Sequence, residues 1–407
     1  MKTYLKLAWR NLWRNKRRTL ITVSSIFIAV LLSALMKSMQ EGSYESMVDM
    51  AVKFYSGAIQ VHKDGYWENQ TLNNSLEVDD SLIKALDNVE HINFYTPRIE
   101  SFSLASSENL TKGVMVLGID PEREDQVTKV KSKLVEGNYL NQNDDGVLLS
   151  AGLAKFLKLN LNDTLVLLGQ GYHGVSAAGK FPIRGIIKHP NPEFNKMLVY
   201  MSIKQCQTFY SAEGLLTSFV IMVDVYDKIP KIQHGLKNQI NLSKFEVMNW
   251  KEMQPVLVQQ IESDKQTAVI FKGILYLVIA FGILGTIMMM MSERKREFGV
   301  VIAVGMQKYK LKTVVFIETI LIGIVGIITG VVGSFPLTWF FYKNPIPLSG
   351  KSADAIIEYG FEPVMYFSIA PSVYLNQAIT IFAFTLVIAI YPLYFLGKLK
   401  VMDALRS

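Results

Sequence analysis

The chain has 407 residues, of which 50% are hydrophobic, with a mean hydropathy of +0.23 and a formal net charge of +7. This composition is too apolar for an ordinary soluble protein, and the length allows a membrane part together with one or two soluble domains. The single cysteine, Cys206, excludes an internal disulfide and a cysteine-rich metal site. The five histidines include neither an H-E-x-x-H motif nor an i, i+4 pair.

Residues 1–18 are basic and amphipathic. Apolar residues recur at helical spacing, at Leu5, Ala8, Trp9, Leu12 and Trp13. Most of the basic side chains would lie on the other side of such a helix. A basic helix with tryptophans on its apolar side suits the headgroup plane of a membrane. We therefore expect a cytoplasmic interfacial helix that leads into the first span. The alternative is a basic flank with no further role.

A first transmembrane helix is predicted at 19–40, because an apolar run near the length needed to cross a bilayer, about 20 residues, begins at Thr19. Its apolar run is longer than the core of a secretory signal peptide, and no clear cleavage site follows. We therefore expect an uncleaved anchor.

Residues 41–265 have the composition of a soluble α+β region. Short strand-like runs bounded by turn residues occur at 57–62, 112–120, 145–150, 163–169, 180–187, 196–202 and 218–225. Helix-like pieces occur at 81–90, 150–159, 229–241 and 251–265. The polar stretch 122–143 has the character of a connection between two subdomains. Gly174–Phe181 matches the P-loop spacing, but Phe181 replaces the Ser or Thr that holds magnesium, so a glycine-rich surface loop is favoured.

Three further transmembrane helices are predicted at 267–291, 313–336 and 373–397, connected by a cytoplasmic segment at 292–312 and a short outer loop at 337–372. Glu318 stands inside the third span, where an ionisable residue indicates function. The alternative is an acid in the first helical turn, favoured by the helix dipole. Gly326 and Gly330 form a G-x-x-x-G pattern that permits close helix packing, either between protomers or as ordinary packing of this span.

The charge distribution predicts the orientation. Residues 1–18, the 292–312 segment and the tail 398–407 together contain sixteen basic and three acidic residues, whereas the whole chain carries +7. The remainder therefore carries a net charge of −6. The positive-inside rule places these three basic segments, and both termini, in the cytoplasm. We find no basic stretch interleaved with aromatics that would indicate a nucleic-acid partner.

The 292–306 stretch, SERKREFGVVIAVGM, resembles the cytoplasmic loop of the FtsX-like (MacB-type) ABC transporter permeases. That family's pattern E-R-x-x-E-[IF]-G-x-x-x-A-x-G is matched at Glu293, Arg294, Glu297, Phe298, Gly299, Ala303 and Gly305. The opening AWRNLWRNKRRTLIT and the ending KVMDALRS also resemble the family, although Val401 or Met402 stands where proline is common. The order of elements in the outer region is most similar to the lipoprotein-releasing (Lol-type) permeases.

The resemblance implies an α-helical membrane protein with four transmembrane helices and a large α+β periplasmic domain inserted between helices 1 and 2. Within that domain, 41–128 and 211–265 would form a porter-like part and 129–210 an inserted α/β subdomain. It also implies a bacterial inner-membrane location and a non-catalytic subunit that binds no cofactor directly. ATP and magnesium would belong to a separate ABC ATPase dimer, and a second permease copy or a paralogue would complete the assembly.

The 292–306 segment is the expected contact with that ATPase. Arg294 and Arg296 have the chemistry to bond carboxylates on a partner, and Glu293 and Glu297, four residues apart, would share one helical face. Gly299, Ala303 and Gly305 lack bulk, so another surface would approach them closely. The expected mechanism is mechanotransmission, in which ATPase closure moves these helices and the outer domains act on cargo.

Lipoprotein release from the inner membrane is the expected work. The alternatives are MacB-type efflux of peptides or drugs from the periplasm and FtsX-like regulation of a cell-wall hydrolase. A secondary transporter would show inverted repeats, which one span plus three does not suggest. The sequence leaves open the cargo and the identity of the second permease. It also leaves open whether an adaptor or outer-membrane channel takes part.

Overall fold

The computed structural model describes residues 2–14, 16–107, 110–358 and 361–406. Met1 and Asn15 of the predicted N-terminal helix, and Ser407 at the end of the predicted tail, lie outside these residues. The chain forms two compact units. The membrane unit comprises residues 1–45, 261–347 and 364–407, and the outer unit comprises residues 46–260 and 348–363.

Four helical segments of the described chain are long and apolar enough to cross a membrane. The first-span helix runs over Lys16–Ala51, the second-span helix over Pro255–Glu293 and the third-span helix over Lys308–Lys343. The fourth span is formed by Pro371–Ile388 and Ile390–Lys398. These helices extend beyond the predicted spans at most ends, because their polar terminal turns continue the hydrogen-bonded ladder outside the apolar run.

The third-span helix lies at the centre of the membrane unit. Half of the residues in its most apolar 18-residue stretch are buried, a larger share than in the corresponding stretch of each of the other three spans. Glycines bring the neighbouring helices close. A Cβ at Gly323 would lie 2.5 Å from Thr385 Cγ2 of the fourth span, and one at Gly326 would lie 2.7 Å from Ile26 Cβ of the first span. The third-span helix is therefore in tight contact with both neighbours.

The N-terminal helix spans Lys2–Arg14, and the C-terminal helix spans Val401–Arg406. On the N-terminal helix, Ala8 and Leu12 are buried, whereas Trp9 and Trp13 are exposed with their rings edge to face at 6.0 Å. Leu12 belongs to the same buried cluster as Val315 of the third-span helix. The helix therefore presents its tryptophans outward, as an interfacial helix requires, and fixes its opposite side to the helix bundle.

The outer unit is built on a ten-stranded mixed sheet. The strands of the described chain are β1 Ile59–Lys63, β2 Leu76–Glu77, β3 Ile92–Ser106, β4 Thr111–Ile119, β5 Leu134–Gly137, β6 Val147–Ser150, β7 Thr164–Gln170, β8 Ser176–Ile187, β9 Leu198–Ser202, β10 Leu215–Leu216, β11 Ser218–Val223, β12 Phe245–Asn249, β13 Ile346–Pro347 and β14 Val364–Met365. The order in the large sheet is β12-β1-β11-β3-β4-β9-β6-β8-β5, and β7 pairs with both β3 and β8. All neighbours in this order are antiparallel except the parallel pairs β4–β9 and β6–β8.

Several helices of the outer unit begin at side-chain caps. Asp79 accepts from Ser81 N, Asp120 accepts from the backbone of Glu122 and Arg123, and Asn249 forms a capping box with Glu252. The helices of the outer unit span Asp80–Asn88, Pro121–Thr128, Ala151–Leu157, Ile203–Phe209, Ile229–Gln239, Trp250–Met253 and Lys351–Glu358. The mixed α+β outer domain and the four membrane-spanning helices confirm the predicted fold class.

All seven predicted strands occur within three or four residues of their predicted bounds, but the longest strand, β3, was missed. The reason is chemical. Arg98 and Glu100 interrupt the apolar alternation of β3, and Arg98 is nevertheless buried because Glu124 holds its guanidinium with two hydrogen bonds, at 2.6 and 3.0 Å. Glu124 comes from the stretch 122–143, whose first turns belong to the helix Pro121–Thr128.

Candidate functional site at the coupling helix

A short helix, Lys295–Ala303, follows the second-span helix after a one-residue break. We call it the coupling helix. The break is at Arg294, whose φ of −93° and ψ of 5° leave the helical range and redirect the backbone. Glu293 is the last residue of the second-span helix, while Glu297 lies in the first turn of the coupling helix. The expectation that these two acids share a face of one helix is therefore wrong.

Arg294 forms a buried ion pair with Glu318. Its Nη1 donates to Glu318 Oε1 at 2.5 Å, and the two residues are 6% and 3% exposed. Glu318 lies ten residues inside a helix that begins at Lys308, so the alternative of a first-turn acid is wrong. Because both charges are withdrawn from solvent, each is stable there only while the other is in place. The pair thus fixes the start of the coupling helix to the central third-span helix.

The aromatic ring of Phe298 strengthens this inward attachment. The Arg294 guanidinium lies 5.0 Å from the centroid of the Phe298 ring, which is itself buried. Arg294 and Phe298, both predicted as contacts for a partner, therefore face the interior of the membrane unit. We revise their role from touching a partner to holding the coupling helix in place.

Glu297 connects the coupling helix to the N-terminal helix. Its Oε2 accepts from Arg14 Nη2 at 3.0 Å and lies 3.4 Å from Arg294 Nε. The Arg14 and Glu297 side chains are 63% and 42% exposed, so solvent screens this pair and its contribution to stability is small. Glu297 therefore lies between two arginines, the exposed Arg14 and the buried Arg294.

Gly299 allows the C-terminal helix to approach closely. A Cβ at Gly299 would lie 2.8 Å from the Cβ of Ala404, a distance that atoms of this kind do not adopt without a shift. Lys308 supports the same contact by donating to the backbone oxygen of Leu399 at 2.9 Å, just before that helix. The small residue at 299 therefore serves a contact within the chain, where sequence reasoning expected a partner's surface.

The outward side of the coupling helix is apolar and basic. Arg296, Ala303 and Gly305 are exposed. Gly305 has a φ of +106°, which glycine adopts without strain, and a Cβ there would meet nothing within 4 Å. Three valines that do not belong to the family pattern are also exposed, namely Val300, Val301 and Val304. Val304, the residue directly after the helix, is 84% exposed. The sequence does carry a signal for these valines, because apolar residues at i, i+1 and i+4 in a segment predicted to be cytoplasmic indicate an exposed apolar patch.

Gly326 and Gly330 contact the first-span helix of the same chain. A Cβ at Gly330 would lie 2.6 Å from Val30 Cβ, just as one at Gly326 would meet Ile26. This face of the third-span helix is therefore occupied within the chain, and it is not available for a contact between protomers.

Two family models match the chain. The FtsX-like permease C-terminal model matches residues 269–401, which contain the coupling helix, and the MacB-like periplasmic core domain model matches residues 19–238, more than half of the chain.

Curated relatives are similar at modest identity. Two lipoprotein-releasing system transmembrane proteins LolC from strains of Xylella fastidiosa are each 23% identical over 250 residues, 60% of this chain and 60% of the relative. A protein of the same name from Neisseria meningitidis is 20% identical over 268 residues, 64% of each chain. The matched region thus spans less than two thirds of these relatives.

Among solved structures, the periplasmic region of MacB from Actinobacillus actinomycetemcomitans is 16% identical, with a TM-score of 0.36 over 53% of this chain and 95% of that chain. The extracellular domain of the noncanonic ABC-type transporter YknZ is 13% identical, with a TM-score of 0.35 over 47% of this chain and 100% of that chain.

Proposed function

Because this chain belongs to the FtsX-like, MacB-type permease family, we propose that it is the membrane subunit of an ABC transporter that works by mechanotransmission. A separate ATPase would hydrolyse ATP, and this subunit would convert the ATPase movement into work on lipoprotein outside the cytoplasm. The observation that carries the proposal is the coupling helix. It exposes valines on one side and is attached on the other, through Arg294 and Glu318, to the central span.

The proposed topology places the coupling helix in the cytoplasm of a bacterial cell, with both termini on the same side of the inner membrane. The excess of basic residues in residues 1–18, 292–312 and 398–407 supports this orientation. Four spans return the chain to its starting side, so the large domain between the first two spans would face the periplasm.

The ATPase would bind the exposed side of the coupling helix. This side has an apolar centre, formed by Val300, Val301 and Val304, and a charged edge at Arg296. An apolar centre with a polar rim is the usual composition of a protein–protein interface. A second copy of this chain, or a paralogous permease, would bind the other half of a dimeric ATPase. We propose that ATP and magnesium bind the ATPase and not this chain.

Movement of the coupling helix would then reach the third-span helix through the Arg294–Glu318 pair. Stretching this pair is costly, because each partner would leave a buried charge without its counter-ion. The third-span helix packs on the first span through Gly326 and Gly330. The central helix and its neighbour would therefore move as one body.

Lipoprotein is the proposed cargo class. The curated relatives are lipoprotein-releasing subunits by name. In addition, the one acid that sequence reasoning placed inside a span is paired with Arg294, so it is not a free charge for conducting a small polar solute. Cargo that is handled outside the membrane fits both observations.

The ATPase contact is tested with Val304→Asp in the full-length protein, co-expressed with its ATPase. Val304 is exposed, so the substitution should leave folding unchanged while it inserts a charge at the centre of the interface. We expect loss of ATPase co-purification and of stimulated ATP hydrolysis. Val135→Asp, at an exposed valine of the outer unit, is the matched control. Retention of the ATPase by Val304→Asp would refute the proposed contact.

The cargo is tested by gentle purification of the native complex and mass spectrometry of the retained molecules. Bound lipoproteins and a second permease support lipoprotein release. A retained outer-membrane channel with an adaptor would overturn it in favour of efflux, and a retained cell-wall hydrolase would overturn it in favour of hydrolase regulation.

A further inference from the structure

The outer unit contains a cavity of about 530 Å³ that is lined by apolar and polar residues. The apolar lining includes Met50, Trp67, Met253, Leu257 and Phe361. Part of the polar lining comes from the large sheet, through Glu100 on β3 and Ser218 on β11. This volume lies within the range of small-molecule sites in proteins, and the combination of an apolar wall with a few polar groups is typical of them.

These two sheet residues carry buried oxygen atoms that accept no hydrogen bond from the described residues. Ser218 is 2% exposed, and its Oγ has no hydrogen-bond partner in the described part of the chain; the same holds for Glu100 Oε1. Both residues line the cavity. Ser218 lies opposite Arg98 in the β11–β3 register, and Glu100 is two residues further along β3, so the two side chains share one face as diagonal neighbours. One ligand group between them would satisfy both.

The charge balance around Glu100 favours a cation. Three of the five N–H groups of Arg98 form hydrogen bonds with groups other than Glu100. Arg98 donates twice to Glu124 and once to the backbone oxygen of Tyr55, at 2.6 Å, and its Nη1 lies 3.6 Å from Glu100 Oε1. Two carboxylates thus share one guanidinium, which leaves a net negative charge when both are ionised. Among the described residues that line the cavity, Glu100 is acidic and none is basic.

The second oxygen of Glu100 is held in place by the Tyr55 hydroxyl, which donates to Oε2 at 2.9 Å. Burial raises the pKa of Glu100, although the neighbouring Arg98 opposes this shift. The carboxyl group is therefore oriented but lacks a counter-charge of its own. A cation at Oε1 would supply it.

We propose that this cavity binds an amphiphile through a primary ammonium group, which donates to Glu100 Oε1 and Ser218 Oγ while its hydrocarbon chain lies against Met50, Met253 and Leu257. Two of the three donors of an ammonium match these two acceptors, and the third is left for a further oxygen. The site is separate from the coupling helix and does not depend on the proposed transport function.

The test uses the full-length protein in lipid nanodiscs and photoreactive octylamine, octanol and octanoate that share one diazirine-bearing chain. After irradiation and digestion, mass spectrometry locates the label. We expect octylamine to label peptides that contain residues 66–70 or 250–260, with octanol and octanoate at least about tenfold weaker, because a charge-assisted bond is lost. Equal labelling by octanol, or labelling confined to the membrane-spanning peptides, would overturn the proposal.

Two variants separate binding from folding. Glu100→Gln keeps an acceptor for Tyr55 but removes the charge, and we expect octylamine labelling to fall about tenfold while octanol labelling stays unchanged. Glu136→Gln, on the exposed strand β5, is its control. Val256→Trp fills the cavity rim from a residue that is 76% exposed, with Val135→Trp as its control. If Val256→Trp leaves octylamine labelling intact, the cavity is not the site.

Discussion

The buried pair of Arg294 and Glu318 leads to the sharpest prediction. Glu318→Leu removes the carboxylate and leaves the Arg294 guanidinium buried without its partner, and Arg294→Met does the converse. Both side chains are less than one tenth exposed and their atoms are 2.5 Å apart, so solvent cannot compensate. Breaking such a pair from one side costs about 3–5 kcal/mol.

The double variant, Arg294→Met with Glu318→Leu, should be far less destabilised than either single variant. Removing both charges leaves no buried ion behind, and apolar side chains of similar size fill the space, an exchange that is often neutral. The coupling free energy between the two positions should therefore exceed about 3 kcal/mol. The exposed Arg14–Glu297 pair is the internal control, because Arg14→Met should cost less than about 1 kcal/mol.

The measurement is reversible unfolding of the purified full-length protein by SDS in mixed micelles, with the folded fraction read by pulse proteolysis of the membrane unit. Two results would refute the reasoning. The first is a loss of less than about 1 kcal/mol for Glu318→Leu, well below the expected range. The second is a double variant that loses as much as the two single variants together, because that would mean that the charges do not interact.

Three further predictions follow from packing and burial. Gly330→Ala should lose about 1–3 kcal/mol in the same SDS assay, because its Cβ would press on Val30, whereas Gly285→Ala, with nothing within 4 Å, should lose none. Burial lowers the pKa of His62 to about 3 from 6.5, so between these values the unfolded chain takes up a proton at this site and the folded chain does not. This site should lower the stability measured at strand β1 by hydrogen exchange by about 2 kcal/mol from pH 6.5 to 5, and His62→Gln should remove that part of the slope. Burial raises the pKa of the Cys206 thiol, so maleimide should label it only after unfolding; rapid labelling of the native protein would contradict its position in the core.

The sequence was sufficient for the spans and for much of the sheet. Apolar runs of bilayer length predict membrane helices with little ambiguity, and strands such as β9 and β11 have uninterrupted apolar character. Strand β3 was missed because Arg98 and Glu100 have the pattern of a surface segment. Their burial depends on Glu124, which is 26 residues from Arg98 along the chain, and no local pattern encodes that pairing.

The same limit explains the errors at the coupling helix. The motif around Arg294 and Gly299 singles out this segment, but it does not distinguish residues that face a partner from residues that face the chain itself. Arg294 pairs with a residue 24 positions away, and Gly299 contacts Ala404, more than a hundred residues later. Long-range packing therefore decided which members of the motif are exposed.

The one-residue break at Arg294 has a consequence for engineering. The residue that redirects the backbone is also the residue that is tied to Glu318, and the helix that follows is seated on Ala404. A chimera that exchanges only residues 293–305 with another permease would bring in a new connector without its two anchoring positions. Specificity for an ATPase should therefore transfer between permeases only when positions 318 and 404 are exchanged together with the connector, as one unit that is discontinuous in sequence.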